Sequence, residues 1–520
     1  MEVKSEKRIL TESEMVQAVN TAVNRILRDN LYELKLEKRV MERLLHQKKE
    51  LREQLKEAGT GNASAKEYLI TFIQECLLRT YQWNEETILE TYFFCEEGRK
   101  NPAYQFDVIL FLLAKQHGEN AFEVLVEENG YQREITETDI KAAWACYGRT
   151  LSFIEKVELI SRKIYAAYKG LGVIDELRDM RIDGVSGGVS GRQGDYKSVW
   201  VFYRGRSMHL SFLDFGSEAE LERIGRNLCR YHQPGEISKK KGYMIHEMAD
   251  HARVVVARPD FSENWLFFVR KLDNIPQVKL AELITQENGE LPRTLIKWLM
   301  KGCQVTAITG MQGCGKTTLL MAIVEEIPEE YTLRVLEQAF ELHLRERYEK
   351  RNIVTFRETA HIDGFEGLEV QKKTDGAVSI IGEVASAKVA AWMIESGQSG
   401  SLFSIFTHHA KTTKSLVYSL RNSLLKEGNF QSERIALNQV VEVVRIDIHL
   451  HMDRNGNRYI AEISEIIPKP SCEQGFEVRS LMAYENGKYV KHNNISSELR
   501  EAIKVWLTKE EKEEFMHADI

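Results

Sequence analysis

The sequence predicts an α/β protein in three successive parts: a helical N-terminal extension, a mixed α+β domain, and an α/β domain built around a glycine-rich loop. Three observations predict it. Helical periodicity runs through the first 170 residues. Strand-like alternation begins near residue 171. A buried-strand pattern, "QVTAITG", then runs into "MQGCGKTTLLMAIVEEI", so that three glycines fall within Gly310–Gly315 just before a helix.

Bulk composition sets the frame. With 520 residues, 43% hydrophobic and 29% charged, the chain suits a soluble globular protein of about three or four domains. The net charge of −7 argues against a basic nucleic-acid footprint over the whole protein. The seven cysteines are scattered and form no C-x-x-C, which suits a reducing compartment and gives no zinc spacing. No stretch approaches the roughly 18 apolar residues of a membrane span. "FDVILFLLAKQ" (106–116) reads instead as a buried helix, and the charged start "MEVKSEKRILTESEM" does not fit a signal peptide. The expectation is a cytoplasmic protein.

Residues 1–58 are expected to hold one long helix over 11–57. Thr11 and Glu14 make a capping box, and Met15, Val19, Ala22 and Ile26 share one face. That face suits either packing on its own protein or a short coiled coil or partner-binding arm. "GTGNASA" (59–65) reads as a linker, and 66–170 as a helical region without catalytic spacing. From 171 to 285 glycines and alternating runs ("KSVWVFYRG", "ARVVVARP", "NWLFFVRKL") surround one helix, "SEAELERIGRNLCRYH", which is an α+β domain. "KLAELITQENGELPRTLIKWLMKG" is read as helical and leads into the third domain, 286–470. Asn455-Gly456 and Asn486-Gly487 signal hairpins, the second within a C-terminal 471–520 segment that closes with the helix "SSELREAIKVWL".

The glycine loop fits G-x-x-x-x-G-K-[ST] at Gly310, Gly315, Lys316 and Thr317, between a strand and a helix as that motif requires. Average residue usage gives a chance match in a chain this long odds of roughly one in fifty. Glycines let successive N–H groups converge on a phosphate, and the helix N-terminus adds partial positive charge. The nucleotide-binding residues are then Gly310, Gln312, Gly313, Cys314, Gly315, Lys316, Thr317 and Thr318. Lys316 reaches the β/γ-phosphates of ATP, and the Thr317 hydroxyl ligates Mg²⁺. Hydrolysis also needs a carboxylate near the metal and the water. "AVSIIGEVAS" (377–386), an apolar strand ending in Glu383, supplies one, with Glu383 a metal candidate beside Thr317.

The loop is followed by "VLEQAFELHL" (335–344), "SIIGEVAS" and "SLFSIFTHHAKTT" (401–413). This order resembles the type II/type IV secretion ATPases, and within them the pilus-assembly branch (Tad/Flp, CpaF-like). The likeness spans about residues 150–470. It implies a RecA-like P-loop domain behind an α/β N-terminal domain, in a hexameric ring that hydrolyses ATP. Carried over by motif, Glu337 and Glu341 match the Asp box, Gly382-Glu383 the Walker B end, and His409 the histidine of the His box. Arg258 and Arg270 match strand-end arginines that close over the phosphates. Glu341, Glu383, His409, Arg258 and Arg270 are thus the catalytic residues the resemblance implies. Two departures stand out: Gln338 replaces the box's aspartate, and Ala385 an arginine. The implied function is a cytoplasmic motor, peripheral at the inner face of the membrane, driving pilus assembly or protein secretion through an inner-membrane platform protein. The rival readings are an ATP-gated scaffold with little turnover and, against the acidic balance, a nucleic-acid motor. No direct nucleic-acid contact is expected.

Overall fold

The computed structural model describes residues 8–28, 37–59, 61–189, 197–230, 237–271, 279–338, 340–359, 362–428, 430–454, 456–518 and 520. They fall into two units, Met1–Asn274 and Ile275–Ile520.

The first unit opens with helices Glu12–Arg28, Lys38–Ala58 and Ala63–Tyr81. The single helix expected over 11–57 is seen as two stretches, with 29–36 outside the described residues. The capping box forms: Thr11 N–H donates to Glu14 Oε2 at 3.0 Å, and Glu14 N–H to Thr11 Oγ1 at 3.3 Å. Met15, Val19 and Val23 are buried in one core with Leu69, Ile73, Leu77 and Ile160, so this face packs on its own unit. Of "GTGNASA", Ala63 to Ala65 already belong to the third helix rather than to a linker. Asn62 caps the third helix by accepting from Ala65 N–H at 3.1 Å, while Thr60 lies outside the described residues.

"FDVILFLLAKQ" belongs to helix Pro102–His117, which is apolar on opposite faces because two cores claim it. Phe106, Ile109, Leu110 and Leu113 enter the core of the sheet, and Tyr104, Val108, Phe111 and Leu112 that of the N-terminal helices. Each large side chain so buried is worth about 1.5–3 kcal/mol. Among the described residues no helix is long and apolar enough to cross a membrane.

The sheet of this unit has seven strands: β1 Glu134–Ile135, β2 Gly184–Gly187, β3 Ser198–Tyr203, β4 Arg206–Asp214, β5 Tyr243–Glu247, β6 Arg253–Ala257 and β7 Leu266–Arg270. Their order is β1-β4-β3-β2-β7-β6-β5, antiparallel except for β1 beside β4. β1 lies in the region read as helical, and β5 carried no clear alternation because Tyr243 and Ile245 are exposed on an edge strand. Lys66 joins the helices to the short helix Asp175–Asp179 before β2. Its Nζ lies 2.7 Å from Asp175 Oδ2, 3.1 Å from Glu176 Oε1 and 2.6 Å from Asp179 Oδ2.

The second unit is built on one nine-stranded sheet: β8 Thr306–Gly310, β9 Leu333–Glu337, β10 Ile353–Arg357, β11 Val378–Ile381, β12 Phe403–His408, β13 Ile446–Met452, β14 Arg458–Pro468, β15 Phe476–Glu485 and β16 Lys488–Lys491. The order is β10-β9-β11-β12-β8-β13-β14-β15-β16. The first six strands run parallel and the last three extend the sheet antiparallel. β8, β9 and β11 are buried along their whole length, as strands of a parallel sheet covered on both faces are. The C-terminal segment belongs to the same core, through Tyr489, Leu499 and Phe515. Asn486 and Gly487, at φ 50° and 90°, make the expected two-residue hairpin turn between β15 and β16. Asn455 of the other hairpin signal lies outside the described residues.

Two helix expectations are corrected. "KLAELITQENGELPRTLIKWLMKG" splits into Leu280–Leu283 and Glu290–Lys301 around Asn288, whose φ is 62°. The single C-terminal helix expected is followed by a second, so that Ser497–Lys504 and Lys509–His517 both form; the second starts at a Thr508/Glu511 capping box.

Candidate nucleotide site

β8 is wholly buried and delivers the glycine loop to the C-terminal edge of the parallel strands, where open α/β sheets bind ligands. The loop needs its glycines. Gly310, Gly313 and Gly315 sit at φ 140°, 79° and 95°, which residues with a Cβ rarely adopt. A Cβ on Gly310 would stand 2.5 Å from the Leu450 carbonyl oxygen and 2.7 Å from Cys314 Sγ. Cys314 is therefore held inside the loop, and burial pushes its thiol pKa up. Helix Lys316–Ile323 starts directly at Gly315, so its first N–H groups belong to the loop.

Lys316 is buried. Its Nζ donates to the Gly310 and Met311 carbonyls at 3.1 and 3.0 Å and reaches His409 Nδ1 at 3.3 Å. On the other side of the ring, His409 Nε2 lies 3.2 Å from Glu383 Oε1. An ammonium only donates, so Nδ1 accepts and Nε2 faces the Glu383 carboxylate. Lys316, His409 and Glu383 thus stand in one chain of contacts from three separate loops at one sheet edge.

Neighbouring strands fix these loops. Gly382 precedes Glu383 because a Cβ there would meet Glu337 Cγ at 3.1 Å. The Thr407 hydroxyl donates to the Gly382 carbonyl, and Val384 N–H to Thr407 O at 2.9 Å, pinning the Glu383 turn against the end of β12. His408 is structural, bonded through Nδ1 to Val384 O at 2.8 Å and through Nε2 to Ser419 Oγ at 2.9 Å.

The Asp-box residues divide in two. Glu337 ends β9, is buried, and accepts from the N–H groups of Glu341 and Leu342, each at 2.8 Å. It shapes the loop. Glu341 stands on that loop, half-buried, at the sheet edge shared with Glu383. Gln338 and Ala385 are both exposed. Thr317 and Thr318 follow Lys316 on the helix and are half-buried, while Gln312 is exposed on the loop. A hydroxyl at Thr317 and a carboxylate at Glu383 are hard oxygen donors of the kind Mg²⁺ takes.

The two arginines do not converge within the seven-stranded sheet. Arg258 lies just beyond the Ala257↔Leu266 pair, whereas Arg270 pairs with Arg253 at the other end of β6. At about 3.3 Å per residue they stand roughly 16 Å apart along the ladder. Antiparallel pairing is the reason: both end their strands, but the strands run in opposite directions. Arg258 packs its guanidinium 5.6 Å from the Trp265 ring centroid, and Arg270 is exposed. Arg258 and Arg270 of one chain therefore belong to opposite ends of β6.

The structure adds residues that the sequence reading missed. The Cδ of Arg458, at the start of β14, would lie 3.5 Å from a Cβ on Gly315, so an arginine stem lies along the loop. Behind the loop, Asp447 is wholly buried among hydroxyls. Its signal was present as an aspartate inside the apolar pattern "RIDIHLHM".

No curated protein matches the chain. Among solved structures, the VirB11 ATPase of the Brucella suis type IV secretion system is 19% identical over 55% of this chain and 89% of its own, with a TM-score of 0.32. The Legionella pneumophila ATPase DotB is 15% identical over 66% and 85%, with a TM-score of 0.40. The pilus retraction motor PilT with bound ADP is 13% identical over 67% and 90%, also at 0.40. Residues 267–490, a little under half of the chain, match the family described as Type II/IV secretion system protein. That span holds the glycine loop, Glu341, Glu383 and His409.

Proposed function

We propose that the chain is a cytoplasmic ATPase motor, assembled as a homo-hexamer and working through an inner-membrane platform protein to drive pilus assembly or secretion. The observation that carries this is the Lys316–His409–Glu383 chain at the edge that holds the glycine loop. Loop N–H groups and Lys316 would hold the β/γ-phosphates of ATP. Thr317 and Glu383 would hold Mg²⁺, which neutralises phosphate charge as it develops. Glu383 and Glu341 orient the attacking water. When Lys316 turns to a phosphate, His409 loses its contact on Nδ1 while keeping Glu383 on Nε2. The imidazole then reports whether the γ-phosphate is present to the turn that carries Glu383. The Arg458 stem adds a cation beside Gly315, on the side of the loop away from Glu383, in a chain whose Ala385 has lost one. The pilus-assembly branch remains part of this proposal, supported by the Asp-box and His-box residues.

A second reading, an ATP-gated scaffold, is favoured by Gln338 and Ala385, which leave those two positions without charge. Steady-state phosphate release measured across protein concentration separates the two. The motor predicts turnover whose specific activity rises as subunits assemble. ATP binding without release above background, with or without membrane partner, would favour the scaffold.

A further inference from the structure

Behind the glycine loop lies a polar network that neither the motifs nor the proposed chemistry uses. Asp447, on β13, has no solvent exposure. Its Oδ1 accepts from the Thr309 hydroxyl at 2.7 Å and its Oδ2 from the Thr413 hydroxyl at 2.8 Å. Thr309 immediately precedes Gly310 at the end of β8. Thr413 opens helix Thr413–Glu427, four residues after His409. One carboxylate therefore joins the root of the glycine loop to the root of the His409 turn. The Thr309 oxygen also lies 2.8 Å from His449 Nδ1, two residues along β13 on the same face.

We infer that Asp447 is a positioning residue for nucleotide binding: ionised, it accepts from both threonines at once and locks the glycine loop to the His409 turn. This rests on the nucleotide-site reading above. An ionised carboxylate is acceptor-only and takes both hydroxyl protons; a protonated one donates through one oxygen to a hydroxyl that turns its own proton elsewhere. Thr309 can do so, because His449 Nδ1 can accept from it. Protonation of Asp447 thus replaces a charge-assisted bond by a weaker, reversed neutral one at the residue that leads into Gly310.

Burial pushes Asp447 up to about 6, against the lowering by Thr309 and Thr413. The charged and titratable groups facing it are Glu462 on β14 and, on its own strand, His449, whose ring is held below its usual range by burial. Lys316 and His451 act on the network through His449. The sign follows. A buried carboxylate with a raised pKa burdens the fold at neutral pH, and that burden accrues as pH rises from about 4 to about 6.

The test measures the affinity of a fluorescent ADP analogue and the melting temperature from pH 4.5 to 8 for wild type, Asp447→Asn, Thr413→Val and Thr413→Ser. Wild type should lose at least fivefold in affinity on acidification through about pH 6. Asp447→Asn should bind weakly at every pH, while its melting temperature relative to wild type climbs between pH 4.5 and 6.5. Thr413→Ser should keep wild-type affinity and its pH dependence, and Thr413→Val should lose both. If Asp447→Asn does not fold, the two Thr413 variants decide. Wild-type affinity and pH dependence in Asp447→Asn, or in Thr413→Val, would overturn the inference. Wild type that binds the analogue without hydrolysing ATP would sink the motor reading and leave this test intact; failure to bind at all would sink both.

Discussion

The two units each bury a lysine among polar partners, and the partners differ in kind. In the first unit Lys66 faces three carboxylates, and Arg178 completes the cluster through Asp179 at 2.9 Å and Asp250 at 2.6 Å. In the second, Lys316 faces two backbone carbonyls and one imidazole. Lys66 ties a helix to carboxylates of its own fold. Lys316 opens a helix behind a glycine loop, where backbone N–H groups and the helix N-terminus also favour an arriving phosphate. The difference separates an ion cluster that fastens a fold from a lysine placed where a phosphate can be bound. It also shows why burial of a charge is not by itself a sign of a site.

The comparison breaks most readily at Lys66. Lys66→Met leaves Asp175, Glu176 and Asp179 crowded without their shared cation, and chemical denaturation should show the first unit losing about 3–5 kcal/mol. Nucleotide affinity should stay within about twofold of wild type. A loss of stability below about 1 kcal/mol would mean the cluster is not what joins helices to sheet. Lys316→Ala should do the reverse: phosphate release falls by about a hundredfold or more, with little change in melting temperature. Glu383→Gln should cost about a hundredfold in turnover while ATP binding persists, since an amide still contacts His409 but no longer carries charge to metal or water. The smallest effect belongs to Arg458→Ala, whose exposed side chain should contribute about 1 kcal/mol to ATP affinity by titration. No change there would remove Arg458 from the site.

What the sequence disclosed follows the same divide. The glycine loop was legible because its chemistry demands local residue types at fixed spacing: φ values that favour glycine, then a lysine, then a hydroxyl. Glu383 was legible because it ends an apolar strand. The seven-stranded sheet was legible only where strands alternate, as β3 does, and not at β1, which is two residues long, or at edge strand β5. Asp447 and Arg458 were missed because their partners, Thr309, Thr413 and Gly315, are brought to them by strand order rather than by sequence distance. The convergence of Arg258 and Arg270 failed for the same reason. Motif reading placed both at strand ends, and only the pairing reveals that the ends are opposite ones.

The account's central claim is that the Lys316–His409–Glu383 chain is an ATP-hydrolysing site. The most direct measurement is steady-state phosphate release with Mg-ATP from wild type beside Lys316→Ala, both shown to be folded by thermal melting. The account predicts turnover in wild type and at least about a hundredfold less in the variant. Equal release from the two proteins would contradict it.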